Sequence, residues 1–210
     1  MKKKNGIILA LDVSDREKAL KVCRETVDFI DAVKVGYPLV LSVGIAFIRK
    51  IRKLGKPVIA DFKVADIPEI SRKICRLATE NGADYVVVQG FAGSDVVKAC
   101  SKVAKIFVVA DMSHPGGREF INKESERIAV MAKRYAAGIV APATYPESIQ
   151  ELRKIVGNLT IISPGVKVQG AEVGSAIRAG ADFEIIGRGI YYADNPRKAA
   201  MEFSDVIKRG

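Results

Sequence analysis

Three charged residues, Asp61, Lys63 and Asp66, interrupt the apolar segment ADFKVADIPEI at residues 60–70. Burying a charge is costly unless an opposite charge or hydrogen bonds compensate it. Asp61 and Lys63 are two residues apart, so on a strand their side chains point the same way. Lys34 ends the preceding apolar run. We therefore expect these four residues to form a neutral cluster, in which each charge has a partner and its burial becomes tolerable.

The elements that must position this cluster are eight short apolar runs with helical segments between them. The runs cover residues 7–12, 31–36, 58–63, 84–89, 106–111, 137–141, 160–165 and 183–188. Most are continuously apolar, which is typical of strands covered on both faces. Because no linker or low-complexity segment separates them, we predict an α/β protein with a single (β/α)8 TIM barrel domain over residues 1–210. The alternative, an open doubly wound sheet, usually has a glycine-rich turn after its first strand, and ALDVSD at 10–15 has none.

The ends of several helices can be predicted as well. Residues 14–17, Ser-Asp-Arg-Glu, form a capping box that would start the first helix at Ser14. The apolar residues spaced through 41–51 predict one second helix that ends at Gly55. Pro146 suits the first turn of a later helix.

Polar residues gather at the predicted C-terminal ends of the strands, where (β/α)8 barrels carry out their chemistry. They are, in chain order, Asp12, Lys34, Asp61, Lys63, Gln89, Asp111, Ser113 and Arg188. The alternative is an ion-pair network that only closes the barrel mouth, but such stabilising networks generally lie at the opposite rim. We therefore predict an active site at this rim.

Two glycine-containing segments, SPGVKVQGAEVG (163–174) and GRGIYYADNP (187–196), follow the last two predicted strands. Loops in these places often bind phosphate in such barrels, through backbone N–H groups. Gly165 and Gly170 allow a close backbone approach, and the planar guanidinium of Arg188 matches a phosphate group. A phosphate site is the expected consequence.

Composition and charge argue against several classes of function. The net charge of +10 is spread over predicted helices without interleaved aromatic residues, which favours solvated helix faces over a nucleic-acid-binding surface. Such a basic surface would also attract a phosphorylated substrate. No apolar run approaches the roughly 20 residues that cross a membrane, and Asp12 interrupts the first apolar segment too early for a secretory signal. We expect a cytoplasmic protein that binds neither nucleic acid nor membrane.

The cysteine and histidine content argues against a metal site. Cys23, Cys75 and Cys100 lack a CxxC spacing and occupy helix-like apolar positions, so we expect small buried thiols. His114 is the single histidine, which excludes a zinc site built on histidines.

These residues resemble the orotidine 5′-phosphate decarboxylase family, particularly its short archaeal form. The resemblance rests on LDV (11–13), VKVGYPL (33–39), DFKVADIPE (61–69), DMSHPGG (111–117), SPGVKVQG (163–170) and IGRGIY (186–191). It implies decarboxylation of orotidine 5′-monophosphate to UMP, the last step of pyrimidine synthesis, without a cofactor or metal. It also implies that Lys63 protonates C6, that Asp61 faces the substrate carboxylate, and that Lys34 lies between Asp61 and the ribose.

The resemblance implies further contacts around the nucleotide. Asp12 would hold the ribose, Ser113 would bind the pyrimidine edge, Gln169, Arg188 and backbone at Gly187 would bind the phosphate, and Pro164 and Val166 would line the pocket. Asp66 and Ile67 would reach the site of a neighbouring subunit, which makes the expected assembly a homodimer with composite sites. Residues 166–174 are the expected lid. Ile70 and Gln89 depart from the family pattern, in which Thr and His are usual.

Two other functions remain open from the sequence. One is a sugar-phosphate decarboxylase or aldolase of the same scaffold that uses Mg²⁺, although such enzymes usually have an acidic residue in place of Lys34, and a cation there repels a metal. The other is a non-catalytic basic barrel that binds nucleotides or RNA.

Overall fold

The structure is a computed structural model that describes residues 1–167 and 169–209. Within these residues, parallel strands close into a barrel in the order β1 to β8, with β8 paired to β1. The strands are β1 (Ile7–Ala10), β2 (Ala32–Gly36), β3 (Val58–Val64), β4 (Tyr85–Gln89), β5 (Ile106–Val109), β6 (Gly138–Val140), β7 (Thr160–Pro164) and β8 (Phe183–Ile186). Each strand falls on one of the predicted apolar runs, and the (β/α)8 barrel is confirmed.

Helices connect the strands and cover the outside of the barrel. They are α1 (Arg16–Thr26), α2 (Tyr37–Val43), α3 (Ile48–Arg52), α4 (Pro68–Glu80), α5 (Ser94–Ser101), α6 (Ser125–Tyr135), α7 (Pro146–Val156), α8 (Ser175–Arg178), α9 (Arg188–Tyr191) and α10 (Pro196–Arg209). Pro146 is the first residue of α7, as predicted. That residues 1–210 form a single domain stays a prediction.

The strands are continuously apolar because both of their faces are buried. Tyr85 of β4 and Phe107 of β5 pack inside the barrel with ring centroids 5.1 Å apart. Two residues further along each strand, towards its C-terminal end, Val87 and Val109 line a cavity. The intervening residues face the helix layer. The core therefore lies in two shells, one inside the barrel and one between barrel and helices.

The capping box of the first helix is displaced by one residue from the prediction. Asp15, not Ser14, is the N-cap of α1, and its carboxylate accepts a 2.6 Å hydrogen bond from the N–H of Lys18. Aspartate caps a helix as well as serine does, and its charge adds a favourable interaction with the helix dipole.

The prediction of one continuous second helix was wrong. Gly44 has φ 85° and ends α2, after which a short 3₁₀ turn over Ile45–Phe47 leads into α3. The changed direction leaves Leu41 81% exposed, whereas Ile48 and Ile51 are buried. Positive φ is accessible to glycine at little cost, which is why the break occurs there.

Cys23, Cys75 and Cys100 are buried and free, as expected. Burial raises the pKa of the Cys23 thiol to about 12, so this thiol is unreactive at neutral pH.

Over the residues described, helices are too short or too polar to cross a membrane.

Candidate active site

A cavity of about 510 Å³ opens at the C-terminal ends of the strands. This volume lies within the roughly 300–1,000 Å³ typical of small-molecule sites. Its floor is apolar and consists of Val87, Val109, Val140, Ile162 and Ile185. The polar residues of the rim surround this floor, so a bound molecule would meet charged groups at the edges and an apolar surface below.

An ion-paired cluster lies on one side of the cavity. Lys34 donates a 2.6 Å hydrogen bond to one carboxylate oxygen of Asp61, and Lys63 donates a 2.8 Å hydrogen bond to the other. Asp12 lies 3.9 Å from the ammonium group of Lys34. The side chains of Lys34 and Asp61 are each 9% exposed, whereas that of Lys63 is 39% exposed. Lys63 is therefore the member of the cluster most open to a ligand and to water.

Lys34 and Asp61 are kept ionised by the charges around them. Burial acts to lower the pKa of Lys34, but the charges of Asp61 and Asp12 and the hydrogen bond to Asp61 outweigh it and raise that pKa above its ordinary value. Burial acts to raise the pKa of Asp61, but Lys34 and Lys63 outweigh it and lower that pKa. A carboxylate and an ammonium group are thus held charged where an isolated charge would be neutralised.

The backbone at Lys63 has an unusual conformation that directs its side chain. Lys63 has φ 43°, and the pairing of β3 with β4 shifts register between Ala60 and Val64. A left-handed conformation costs a residue other than glycine roughly 1–3 kcal/mol and often occurs at functional sites. Asp61 and Lys63 both line the cavity, as predicted. The strand that carries them is not regular at that point, which the prediction had assumed.

Asp66 is not part of the cluster in its own chain, which corrects the expected set of four. It is exposed, its carboxylate accepts a 2.7 Å hydrogen bond from the N–H of Ile67, and its own N–H donates to the hydroxyl of Ser71. It lies beyond the end of β3, where the chain turns away from the cavity to begin α4. Asp12 contributes the second carboxylate instead. The two carboxylates of Asp12 and Asp61 then balance the two ammonium groups of the lysines, and the cluster is neutral as predicted.

The residues predicted to bind the phosphate or to line the pocket lie at the ends of β7 and β8. All of them line the cavity, namely Pro164, Gly165, Val166, Gln169, Gly187 and Arg188. Gly165 has φ 108°, a conformation that a residue with a side chain rarely adopts. Val168 of the expected lid lies outside the described residues. Across its other residues the loop is closed by hydrogen bonds from the N–H groups of Lys167 and Ala171 to the carbonyls of Ala171 and Gly165.

The loop after β5 forms a third side of the cavity. Ser113 lines it, as predicted, together with Met112 and His114. The carboxylate of Asp111, which is 1% exposed, accepts hydrogen bonds from the N–H of Met112, the amide of Asn122 and the hydroxyl of Ser148. Asp111 therefore secures the start of the loop that presents Ser113.

Two aromatic residues of the site had not been anticipated from the sequence. Tyr191 and Tyr37 both line the cavity. Burial and the nearby charge of Asp12 raise the pKa of Tyr191, so its hydroxyl stays protonated and can donate a hydrogen bond. The sequence offered one signal for them, because both tyrosines lie just after predicted strand ends and close to a glycine: Tyr37 follows Gly36, and Tyr191 lies two residues after Gly189.

Gln89 is buried beside Met112, and within the described residues its side-chain oxygen has no hydrogen-bond partner.

No group of three or more His, Cys, Asp and Glu residues in the described part of the chain is arranged to hold a metal ion. The charged side chains nearest the cavity floor alternate in sign, and both oxygens of Asp61 already accept hydrogen bonds from ammonium groups. This arrangement suits an organic anion better than a cation.

Comparison with known proteins places these features in one family. Residues 5–203 match the model of the Orotidine 5'-phosphate decarboxylase / HUMPS family. Orotidine 5'-phosphate decarboxylase of Methanosarcina barkeri is 52% identical, over 99% of this chain and 97% of that protein. The protein of the same name from Pyrococcus abyssi is 42% identical, over 96% and 99%.

Solved structures agree with this assignment. Orotidine 5'-monophosphate decarboxylase from Methanocaldococcus jannaschii, complexed with the inhibitor BMP, has a TM-score of 0.92 and 41% identity, and the match covers 96% of this chain and 98% of that one. The orotidine 5'-phosphate decarboxylase structure from Pyrococcus horikoshii has a TM-score of 0.91 and 42% identity, over 97% and 99%. The chain therefore belongs to the Orotidine 5'-phosphate decarboxylase / HUMPS family.

Proposed function

We propose that this protein decarboxylates orotidine 5′-monophosphate to UMP in pyrimidine synthesis, without a cofactor. The observation that carries the proposal is the ammonium group of Lys63, held 2.8 Å from Asp61 at the edge of a cavity with an apolar floor. The relatives named above, which match over nearly the whole length, support the same reaction. The cytoplasmic location is part of this proposal.

Lys63 would act as the proton donor. When the bond between C6 and the carboxylate breaks, carbon dioxide leaves and the electron pair stays on C6, where the ring delocalises it poorly. A nearby ammonium group stabilises that developing charge and then transfers its proton to C6, which combines electrostatic and acid catalysis. The partial exposure of Lys63 lets water return a proton to the amine afterwards.

Asp61 would lie against the carboxylate of the substrate, where repulsion between two anions raises the energy of the bound state. This repulsion disappears as carbon dioxide leaves. Lys34 would hold Asp61 in place through their 2.6 Å contact and would also contact the ribose. Asp12, on the far side of Lys34, would bind the ribose hydroxyls.

Phosphate binding would supply the energy that orients the pyrimidine ring. Gln169 follows β7, and Gly187 and Arg188 follow β8, so these residues line the same cavity as Lys63 from the two strands that close the barrel. Binding energy from a group that does not react can be used to position the group that does. Pro164, Val166 and Ser113 would enclose the base, and residues 166–174 would close over the phosphate.

A homodimer with shared sites would explain the placement of Asp66 and Ile67. Both are exposed beyond the end of β3. The connections after β2, β3 and β4 also expose large apolar side chains, namely Tyr37, Leu41, Ile67, Ile70 and Phe91. Because these strands are neighbours, we infer that these side chains lie on the same side of the barrel mouth, where exposed apolar residues usually mark an interface. A second copy docked there would bring its Asp66 and Ile67 to the cavity of the first.

Mixing two inactive variants tests this shared site. We expect Lys63→Ala and Asp66→Asn homodimers, after dissociation and reassociation together, to regain about a quarter of wild-type activity, because half of the random dimers are mixed and each mixed dimer has one intact site. The matched control mixes Lys63→Ala with Asp61→Asn, two positions that lie in the same chain's cavity. Recovery in the control, or none in the first mixture, would contradict the composite site.

The Mg²⁺-dependent enzymes of the same scaffold are the second candidate, because the matching family model includes more than the decarboxylases. We expect purified protein to consume orotidine monophosphate, followed by its ultraviolet absorbance, at an unchanged rate in excess EDTA. Lys34 occupies the place where such enzymes usually have a metal-binding acid, and its ammonium group repels a cation. A loss of activity in EDTA that added Mg²⁺ restores would favour the metal-dependent reaction instead.

A further inference from the structure

Glu184 is a buried carboxylate for which the proposed mechanism has no use. It is the second residue of β8, level with the start of β1, and is 0% exposed. Its neighbour Ile185 lines the cavity, so Glu184 points the other way, into the layer between barrel and helices. There its two oxygens accept hydrogen bonds from the N–H groups of Gly174 and Ala176, at 2.9 and 3.0 Å.

These two N–H groups belong to the end of the loop that lines the phosphate side of the cavity. The loop leaves β7 after Pro164, presents Gly165, Val166 and Gln169 to the cavity, and enters α8 at Ser175. Gly174, the last residue before α8, has a left-handed conformation with φ 86°. Such a residue can absorb a change of chain direction, and Glu184 binds the chain on both sides of the junction.

We propose that Glu184 is a positioning residue that fixes the C-terminal end of the 165–174 loop and thereby sets how firmly this loop holds the phosphate group of the substrate. The inference rests on the proposed function, because it assigns the loop to phosphate binding.

The cost of burying Glu184 supports a specific role. Burial raises the pKa of its carboxyl, and the N–H groups of the loop together with the charge of Arg178 offset only part of that rise. An apolar side chain would fill the same space between sheet and helix without a desolvation cost. What an apolar side chain cannot do is accept two backbone hydrogen bonds and so determine the position of the loop.

A second side-chain interaction, on the outer surface, also joins the loop to α8. Arg178 of α8 donates a 3.1 Å hydrogen bond to Glu172, and their side chains are 45% and 79% exposed. Exposed ion pairs contribute little to stability. The buried carboxylate is therefore the stronger of the two constraints on this part of the loop.

Asp31 provides a matched control elsewhere in the barrel. It is also buried, and its carboxylate accepts hydrogen bonds from the backbone N–H groups of Lys4, Asn5 and Gly6. It precedes β2 and therefore lies at the N-terminal rim, opposite the cavity. Asp31 and Glu184 lie at the same depth, on either side of the start of β1, so Glu184→Gln and Asp31→Asn remove the same kind of interaction there, and only Glu184 contacts the loop.

The experiment compares orotidine monophosphate with orotidine, which lacks the phosphate. In Glu184→Gln we expect kcat/KM for the monophosphate to fall by about ten- to a hundredfold, the size associated with a small misplacement of a binding group. We expect kcat/KM for orotidine to stay within about twofold, since that substrate does not use the loop. In Asp31→Asn the ratio of kcat/KM for the monophosphate to kcat/KM for orotidine should stay at its wild-type value, even if Tm falls as much as in Glu184→Gln. An unchanged ratio in Glu184→Gln, or an equal fall for both substrates, would overturn the inference.

A conservative variant and a second measurement keep the test decisive. Glu184→Asp keeps the charge on a shorter side chain and replaces Glu184→Gln if that variant does not fold. A fall in kcat/KM for the monophosphate alone supports the inference, and an unchanged kcat/KM refutes it. Amide hydrogen exchange at Lys167, Gly170 and Ala171 should accelerate in the Glu184 variant and stay unchanged in Asp31→Asn. If the wild type fails to decarboxylate orotidine monophosphate, the proposed function fails, while exchange in these amides still decides whether Glu184 orders the loop.

Discussion

Replacing Lys63 with alanine should lower the turnover of orotidine monophosphate by at least about ten-thousandfold, while UMP still binds. General acid catalysis typically contributes about 10²–10⁴-fold, and one preorganised charge contact about 10²–10³-fold, and this substitution removes both. The catalytic demand on the site is large, because enzymes of very slow reactions supply up to about 23 kcal/mol. Single-turnover kinetics and calorimetric titration with UMP measure the two quantities.

The structure explains why this variant should fold and bind product. Asp61 keeps its 2.6 Å contact with Lys34 after Lys63 is removed, so no buried carboxylate is left unpaired. UMP has no carboxylate at C6, so it does not meet the repulsion of Asp61. Lys53→Ala, which removes an exposed lysine at the end of α3, is the control for the loss of one positive charge. Substantial turnover by Lys63→Ala would refute its role as the acid.

Replacing Arg188 with alanine should raise KM by about a hundredfold or more, with the same reaction still taking place. Hydrogen bonds to charged groups contribute about 1.5–3 kcal/mol each, and a guanidinium can donate two of them to one phosphate. Each 1.4 kcal/mol corresponds to about tenfold in affinity. Steady-state kinetics over a wide range of substrate concentration would measure the change.

Arg197→Ala is a matched control for this experiment. Arg197 also follows β8, but its guanidinium donates to Asp28 on the outer surface, so its loss removes one positive charge without a contact in the cavity. We expect KM to remain near the wild-type value in this control. A KM in Arg188→Ala equal to that of the control would remove Arg188 from the phosphate site.

Much of the site was predictable because it depends on strand ends. In a closed parallel barrel the C-terminal ends of all strands meet at one rim, so placing Lys34, Asp61 and Arg188 required only that each strand be located. The apolar runs located them well, since strands buried on both faces have a composition that surface segments rarely share. Family motifs then supplied the roles proposed for these residues.

The errors concern residues beyond strand ends, where contacts distant in sequence determine direction. Asp66 was expected in the cluster because it is close to Lys63 in sequence, but the turn into α4 carries it outward. Leu41 was expected on a buried helix face, and the break at Gly44 exposes it. Neither the direction of a loop nor the end of a short helix follows from local spacing alone.

The barrel, the order of its strands and the residues at their ends can be read from the amino-acid chain alone, because burial on two faces imposes a recognisable pattern. The contacts within the site emerge only in the folded protein, where Asp12 lies beside Lys34, Lys63 adopts φ 43°, and Glu184 of β8 binds the loop that follows β7. Such contacts arise from barrel closure and strand register, which bring together residues far apart in the chain.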